Sequence, residues 1–183
     1  GDTAVGKTTA IIKFCNPDLV STNILTTIAN DFFTKTLVVD SVQISMRIWD
    51  TPGQVCYRNF TKYACKDKKG VVLFFDVTRS NSFSNLDGWL EMLNENLADP
   101  ERIPIVIFGN KTDIGDDRTV SEEEAREFAD KHGCSYFETS ALTGENIQEG
   151  FFELLKQILD IEKQKPSTTS LPIALPRDEE KCC

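Results

Sequence analysis

Hydrophobic positions along the chain form short runs that alternate with longer amphipathic stretches. Residues 42–49 alternate apolar and polar side chains, which is typical of a half-buried strand. A tight turn at Asp40 and Ser41 joins this stretch to residues 32–39, so the two are predicted to form an antiparallel hairpin. Three further apolar runs are short enough for buried parallel strands. They cover residues 71–76, 103–109 and 134–138.

Helical periodicity marks the segments between these strands. Residues 8–15 are predicted to form a short helix, and Ser121 with Glu124 forms a capping box for a helix that Gly133 is placed to end. Two more helices are indicated by apolar faces. These faces are Phe83, Leu86, Leu90, Leu93 and Leu97, and Ile147, Phe151, Leu154, Leu155 and Ile158. The alternation predicts an α/β fold, with a mostly parallel sheet between helices and an antiparallel edge hairpin.

Length and composition suit one domain followed by a tail. Of 183 residues, those from 166 onward lose hydrophobic periodicity, so we assign a domain to residues 1–165 and a flexible tail to residues 166–183. The net charge of −9 argues against general binding of nucleic acids. No apolar run approaches the roughly 18 residues of a membrane span, and no secretory leader is visible. The six cysteines have neither disulfide-framework nor zinc-site spacing, so reduced thiols in a cytosolic protein are expected.

The first eight residues, GDTAVGKT, match the phosphate-binding pattern G-x-x-x-x-G-K-[ST]. In this pattern backbone N–H groups wrap a phosphate, Gly6 permits close approach, and the positive end of the next helix faces the anion. Lys7 is predicted to contact the β- and γ-phosphates, and Thr8 to bind Mg²⁺. A chance glycine-rich turn is the alternative, but the required helix follows directly. The predicted contacts are Thr3, Ala4, Val5, Gly6, Lys7, Thr8 and Thr9.

Two polar motifs follow successive buried strands, where open α/β sheets bind ligands. After the strand at 103–109, a buried Asp113 carboxylate is predicted to accept two N–H bonds from a guanine edge. Adenine offers no such donor pair and would leave this carboxylate unpaired. After the next strand, backbone N–H groups are placed to meet the guanine carbonyl. Each motif alone also fits a polar loop. Together they predict a base site formed by Asn110, Lys111, Asp113, Ser140, Ala141 and Leu142.

The segment WDTPGQ at residues 49–54 follows the second hairpin strand. Asp50 is predicted to hold the Mg²⁺ shell, Gly53 to sense the γ-phosphate, and Gln54 to orient the attacking water. Upstream, the Thr27 hydroxyl is placed to complete the metal site. A polar turn is the alternative interpretation of Asp50 and Gln54. Loss of the γ-phosphate would release both segments, which describes a molecular switch.

These motifs, in this order, resemble the Rab family of the Ras superfamily of small GTPases. The resembling segments are GDTAVGKT, TTIANDF, MRIWDTPGQ, LFFDVT, GNKTD, ETSA and the terminal Cys182-Cys183. The resemblance implies the three-layer P-loop NTPase fold, whose first strand would precede Gly1 and is missing from this chain. It also implies hydrolysis of GTP to GDP and phosphate at a low intrinsic rate, with Mg²⁺ as cofactor and Gln54 and Lys7 as catalytic residues.

The resemblance further implies a monomeric, membrane-anchored switch in vesicle trafficking. The implied partners are GTP and GDP together with effector, exchange-factor, GTPase-activating and GDP-dissociation-inhibitor proteins. No nucleic-acid partner is expected. The implied location is the cytoplasm, with reversible attachment to the cytosolic face of an endomembrane. Cys182 and Cys183 would carry two lipids, which the tail needs because residues 177–181 are not polybasic. Inert terminal thiols are the alternative.

Several positions depart from the family pattern. Thr26 is the alternative metal ligand, because the stretch before Thr27 is one residue longer than usual. Of three aromatic residues in the Rab effector patch, Phe32 and Trp49 remain, with ordinary core or sheet surface as the alternative interpretation. The other departures are Ala4 for glycine, Leu19 for an aromatic, Pro52 for alanine, Val55 for glutamate, Ala64 for an aromatic and Leu142 for lysine.

Three functional hypotheses follow from the sequence. The first is a GTPase switch. Its activating partner supplies the arginine finger that stabilises the transition state, since no arginine in the chain is obviously placed for this role. The second is a GTP-binding module with little or no hydrolysis because of Ala4 and Pro52. The third, an ATP-using P-loop kinase, is disfavoured by residues 110–113.

Overall fold

The computed structural model describes residues 1–18, 27, 29, 31–39, 41–54, 65, 67–97 and 103–164. The helices in these ranges are α1 (Lys7–Cys15), α2 (Ser80–Ser84), α3 (Leu86–Asn96), α4 (Glu122–Lys131) and α5 (Ile147–Gln164). The strands are β1 (Asp31–Val39), β2 (Val42–Asp50), β3 (Val71–Asp76), β4 (Ile105–Asn110) and β5 (Ser135–Thr139). Predictions for Leu19, Thr26, Val55, Ala64 and the tail with Cys182 and Cys183 lie outside the described residues.

The predicted hairpin is confirmed. β1 and β2 pair antiparallel, with Phe32 opposite Trp49. Ser41 adopts a φ of 64°, the left-handed conformation that a tight hairpin turn requires. Alternate residues of the two strands, Phe33, Leu37, Met46 and Ile48, pack against the apolar cluster beneath the sheet. Successive side chains of a strand point to opposite faces, and this alternation made the hairpin predictable from the sequence.

The three buried runs form a parallel sheet in the order β3-β4-β5. One face packs against α3 and α4 through a cluster that includes Trp89, Leu93 and Ala125. The other face packs against α1 and α5 through Phe14 and Phe151. The predicted α/β fold with helices on both faces is therefore confirmed. Asp76, Asn110 and Thr139 occupy one register line at the carboxyl ends of the three strands.

Element boundaries differ from the predictions for physical reasons. β4 begins at Ile105 rather than residue 103, because Pro104 has no N–H for the ladder, although its carbonyl accepts a bond of 3.0 Å from the Val71 N–H. The helix predicted across residues 83–97 is divided at Asn85 into α2 and α3. At α4 Ser121 is the N-cap, since the Glu124 N–H donates to Ser121 Oγ at 3.1 Å, which is one of the two bonds of the predicted capping box. Gly133, with a φ of 65°, follows the helix end.

The described strands form two separate hydrogen-bonded sheets, the β1-β2 hairpin and the β3-β4-β5 sheet. A cavity of about 520 Å³ lies between β2 and β3. Its walls are mostly apolar and include Met46 and Ile48 on one side, Val72 and Phe74 on the other, and Leu154 below. The strand expected ahead of Gly1 stays a prediction.

Two further observations bear on the chemistry of the chain. Among the described residues, Cys15, Cys65 and Cys134 are not joined in disulfide bonds. Burial raises the pKa of the Cys134 thiol to about 11, so this cysteine stays protonated and unreactive near neutral pH. Within the described ranges, none of the helices has the length and apolar character that a membrane crossing requires.

Candidate functional site

The phosphate loop leads directly into α1 and borders a cavity of about 310 Å³. Gly6, with a φ of 97°, turns the chain from the loop into the helix at Lys7. The first N–H groups of α1 have no partners within the helix, so they are available to an anion at this end. The cavity lining consists of Thr3, Ala4, Gly6, Lys7, Thr8, Thr9, Thr27, Thr51, Gly53 and Lys111. Sequence reasoning predicted these residues except Thr51, and the structure brings them together.

The Lys7 side chain reaches back to the start of the phosphate loop. Its ammonium donates to the Gly1 carbonyl at 2.9 Å and to the Asp2 carbonyl at 2.6 Å. Burial lowers the pKa of Lys7 to about 8, although the charges of Asp50 and Asp2 oppose this effect. The ammonium is therefore still mostly charged at neutral pH, and it lies beside the cavity that the loop encloses.

Three oxygen-bearing side chains predicted as metal ligands meet at one side of the cavity. The Thr8 hydroxyl donates to Asp50 Oδ2 at 2.6 Å, and the Thr27 hydroxyl donates to the same oxygen at 3.0 Å. The two hydroxyl oxygens are 3.0 Å apart. Asp50 is 2% exposed, and its Oδ1 has no hydrogen-bond partner among the described residues. A buried carboxylate oxygen of this kind beside two hydroxyls fits the oxygen ligands that Mg²⁺ prefers.

Gly53 closes the cavity against the phosphate loop. A Cβ atom on Gly53 would lie 2.4 Å from the Asp2 carbonyl carbon and 2.5 Å from the Thr3 nitrogen. Only glycine therefore permits this backbone contact between the two segments. Gln54 follows directly and is partly buried, while the preceding Pro52 is buried. The segment predicted to carry hydrolysis is thus packed on the segment predicted to hold phosphate.

Asn110 joins the phosphate loop to the loop after β5. Its side-chain amide donates to the Val5 carbonyl at 2.7 Å, and its Oδ1 accepts from the Ala141 N–H at 2.9 Å. Asn110 is 1% exposed, so the loss of either bond would leave a buried polar group without a partner, which is costly. The predicted contacts of Asn110 and Ala141 with a nucleotide stay predictions, because here the two residues bond each other.

The Asp113 carboxylate lies at the surface, so the prediction of a buried Asp113 is wrong. The reason is local: Lys111 has a φ of 74°, and the chain leaves the sheet at this turn before it reaches Asp113. Buried Ser140 orients the carboxylate by donating to its Oδ1 at 2.6 Å. Leu142, in the same region, is 63% exposed. The two loops predicted to read the base are therefore in contact through Ser140 and Asp113, and their role toward a base stays a prediction.

Sequence reasoning missed Asp76 and Arg79. Asp76 is buried at the end of β3 and binds the Lys111 ammonium at 2.7 Å and the Arg79 Nε at 3.0 Å. Burial alone would raise the pKa of Asp76, but hydrogen bonds from Lys111 and Thr78 outweigh it and hold the pKa below its usual value. Arg79 also donates to the Thr3 carbonyl at 3.0 Å. The sequence did carry a signal for Asp76, because a carboxylate at the end of an apolar strand is unusual enough to mark a functional position.

An exposed aromatic pair lies on the outer face of the hairpin. The rings of Phe32 and Trp49 are 5.4 Å apart, and both side chains are exposed. The Arg47 guanidinium lies 4.9 Å from the Phe32 ring centre, and the Lys68 ammonium lies 4.7 Å from that of Trp49. The exposure of both side chains excludes a core role for Phe32 and Trp49, whereas an ordinary sheet surface remains the alternative interpretation.

Comparison with known proteins identifies the family of the chain. The sequence model of the Ras family matches residues 1–160. The chain is 36% identical to the human Ras-related protein Rab-27B over 182 residues, covering 94% of the chain and 83% of the relative. It is 37% identical to RABA4a of Arabidopsis thaliana over 170 residues, covering 93% and 74%. With rat Rab-13 the identity is 34% over 190 residues, covering 100% and 92%. The chain therefore belongs to the Ras family of small GTPases, among the Rab proteins.

Proposed function

We propose that this Rab GTPase binds and hydrolyses GTP at the cavity enclosed by the phosphate loop, α1 and residues 50–54. Guanine-nucleotide binding, GTPase activity and a role in vesicle trafficking come with the family, which favours the first hypothesis over a binding module or an ATP-using kinase. The assignment of residues is our proposal. The observation that carries it is the meeting of Thr8, Thr27 and Asp50 beside Lys7 at a cavity of about 310 Å³.

In this proposal the chain acts by positioning charge and water. The N–H groups of the loop and of the first turn of α1 bind the phosphates, and Lys7 neutralises negative charge that develops on them. Gly53 brings Gln54 next to the loop, where Gln54 orients the water that attacks the γ-phosphate. Asp113, oriented by Ser140, accepts the guanine N–H groups, and Leu142 lies beside the base.

Mg²⁺ is the proposed cofactor, held by Thr8, Thr27 and Asp50. The cation would supply positive charge to the phosphate oxygens. Among the described residues, no cluster of three or more His, Cys, Asp or Glu side chains forms an alternative metal site. The proposed site instead combines one carboxylate with two hydroxyls, which suits a hard cation that keeps some of its waters.

A substitution of Gln54 tests the catalytic assignment. Gln54→Leu is expected to slow single-turnover GTP hydrolysis by at least about tenfold, because leucine cannot hydrogen-bond the attacking water. The GDP dissociation constant should stay within about twofold, since Gln54 acts on the water and not on the base. Gln43→Leu, at an exposed position near the other end of β2, is the matched control and should hydrolyse GTP normally.

Two results would contradict this assignment. Equal hydrolysis rates in the parent and Gln54→Leu would remove Gln54 from the mechanism. A parent that hydrolyses no GTP even with an activating protein would instead favour the binding-module hypothesis.

The exposed pair Phe32 and Trp49 is the proposed contact for effector and regulator proteins. Regulator and effector partners are a property of the family. Aromatic side chains with cations around them supply large contact area together with polar specificity. The hairpin also begins four residues after Thr27 and ends at Asp50, so it connects this surface to the proposed metal site.

The proposed organisation is a GTPase domain over residues 1–165 and a lipid-bearing tail over residues 166–183, in a monomer that attaches reversibly to an endomembrane. Two lipids on Cys182 and Cys183 are needed because one lipid chain without a basic patch binds membranes only marginally.

In cells, the double variant Cys182→Ser, Cys183→Ser should move entirely to the cytosolic fraction. Each single variant should distribute between cytosol and membrane. A double variant that still sediments with membranes would refute the lipid anchor.

A further inference from the structure

The outer side of the phosphate loop is held by the segment that contains α2 and α3. Both oxygens of the Asp2 carboxylate accept hydrogen bonds, from the Trp89 indole N–H at 2.9 Å and from the Asn85 amide at 2.7 Å. Trp89 is 2% exposed and its bond is partly buried, whereas the bond from Asn85 is exposed. Arg79 adds a third contact, the bond of 3.0 Å to the Thr3 carbonyl. We call Asp2, Arg79, Asn85 and Trp89 the loop clamp.

The loop clamp acts next to a strained residue. Ala4 has a φ of 60°, the left-handed conformation that glycine adopts freely and alanine adopts at a cost. Its neighbours are fixed on both sides: the Thr3 carbonyl by Arg79, and the Val5 carbonyl by Asn110. A strained residue persists only where its surroundings determine its conformation. Ala4 is therefore the residue at which a released loop would relax.

We propose that the loop clamp holds the phosphate loop in its nucleotide-binding conformation by keeping Ala4 left-handed. The four clamp residues are not among the residues that line the cavity of about 310 Å³, so they are positioning residues rather than catalytic ones. This inference rests on the proposed function, because it requires that the loop bind phosphate. It explains how a chain with alanine at this position still presents N–H groups to an anion.

The expected signature is a dependence on the residue at position 4. Without the clamp, Ala4 relaxes in the free protein, and nucleotide binding must restore the strained conformation. Asp2→Ala should then weaken GDP binding by about tenfold, which corresponds to the cost of a left-handed alanine. In the Ala4→Gly background the same substitution should weaken binding by less than about threefold, because glycine has no such cost.

The experiment measures GDP dissociation constants for a double-mutant cycle of Asp2→Ala and Ala4→Gly. Glu91→Ala, exposed on α3 and outside the clamp, is the control and should bind GDP like the parent. Asn85→Ala is a second, milder clamp variant in case Asp2→Ala does not fold, and its smaller loss should also disappear with Ala4→Gly. Thermal unfolding of each variant separates loss of stability from loss of affinity.

The outcomes are distinct. Rescue of GDP binding by Ala4→Gly supports the clamp, since a contact that only stabilises the fold would not depend on position 4. Equal losses in both backgrounds, or no loss with Ala4 present, would overturn the clamp and leave the proposed function intact. A parent that binds no GDP would overturn the site assignment and the clamp together.

Discussion

Asp113→Asn is expected to lower the affinity for GDP by roughly 100-fold and to make xanthosine diphosphate the better ligand. A carboxylate accepts both N–H groups of the guanine edge, whereas asparagine offers one acceptor and one donor. Xanthine carries a carbonyl in place of the guanine amino group, so it matches the asparagine. Ser140 donates to Asp113 Oδ1 at 2.6 Å and can donate equally to an asparagine oxygen, so the side chain should keep its orientation.

Competition between GDP and xanthosine diphosphate measures this change. Asp116→Asn, at an exposed carboxylate three residues away, should retain the parent preference. An unchanged preference for guanine in Asp113→Asn would mean that Asp113 does not read the base.

Gly6→Ala is expected to abolish nucleotide binding and to lower the free energy of unfolding by about 2–5 kcal/mol, from left-handed strain and overpacking together. The φ of 97° is unfavourable for alanine, and the added Cβ would lie 2.1 Å from Asn110 Nδ2. Asn110 cannot move aside without losing its buried bonds to Val5 and Ala141. Urea denaturation and GDP binding would measure the two effects.

Gly88→Ala provides the matched control, because it is the same substitution in a different setting. Gly88 lies within α3, and a Cβ there would have no neighbour within 4 Å. Alanine should therefore raise the free energy of unfolding by about 0.5–1 kcal/mol through its better helix propensity. Shifts of the same sign and size at both glycines would contradict the argument from local geometry.

The fold was predictable wherever local pattern determines structure. β3 spans residues 71–76 as predicted, because an apolar run buried on both faces needs no information from elsewhere in the chain. The division at Asn85 was not predictable, because the apolar spacing from Phe83 to Leu97 suits one continuous helix face. Pro104 could have corrected the start of β4, since proline lacks the N–H that a strand uses.

The candidate site divides along the same line. That the residues of the predicted phosphate loop border one cavity was predictable, because they lie in a motif with fixed spacing. Spacing did not decide between Thr26 and Thr27, and the structure places the Thr27 hydroxyl beside Thr8 and Asp50. The loop clamp was not, because its bonds join residues 76, 83 and 87 positions apart in the chain. The exposure of Asp113 was also missed, because it depends on the left-handed turn at Lys111, a position where sequence gives no glycine signal.

The site takes its residues from the hairpin and from the parallel sheet, and this has a thermodynamic consequence. Asp50 lies at the end of β2 in the hairpin, whereas Asn110 lies at the end of β4 in the parallel sheet. A nucleotide bound as proposed, with Thr27 and Asp50 at one end and Asp113 at the other, would bind only when both parts are folded. Its binding energy would therefore raise the free energy of opening of both parts at once. The nucleotide would act as part of the folded core, and the folding cooperativity of the domain would depend on nucleotide concentration.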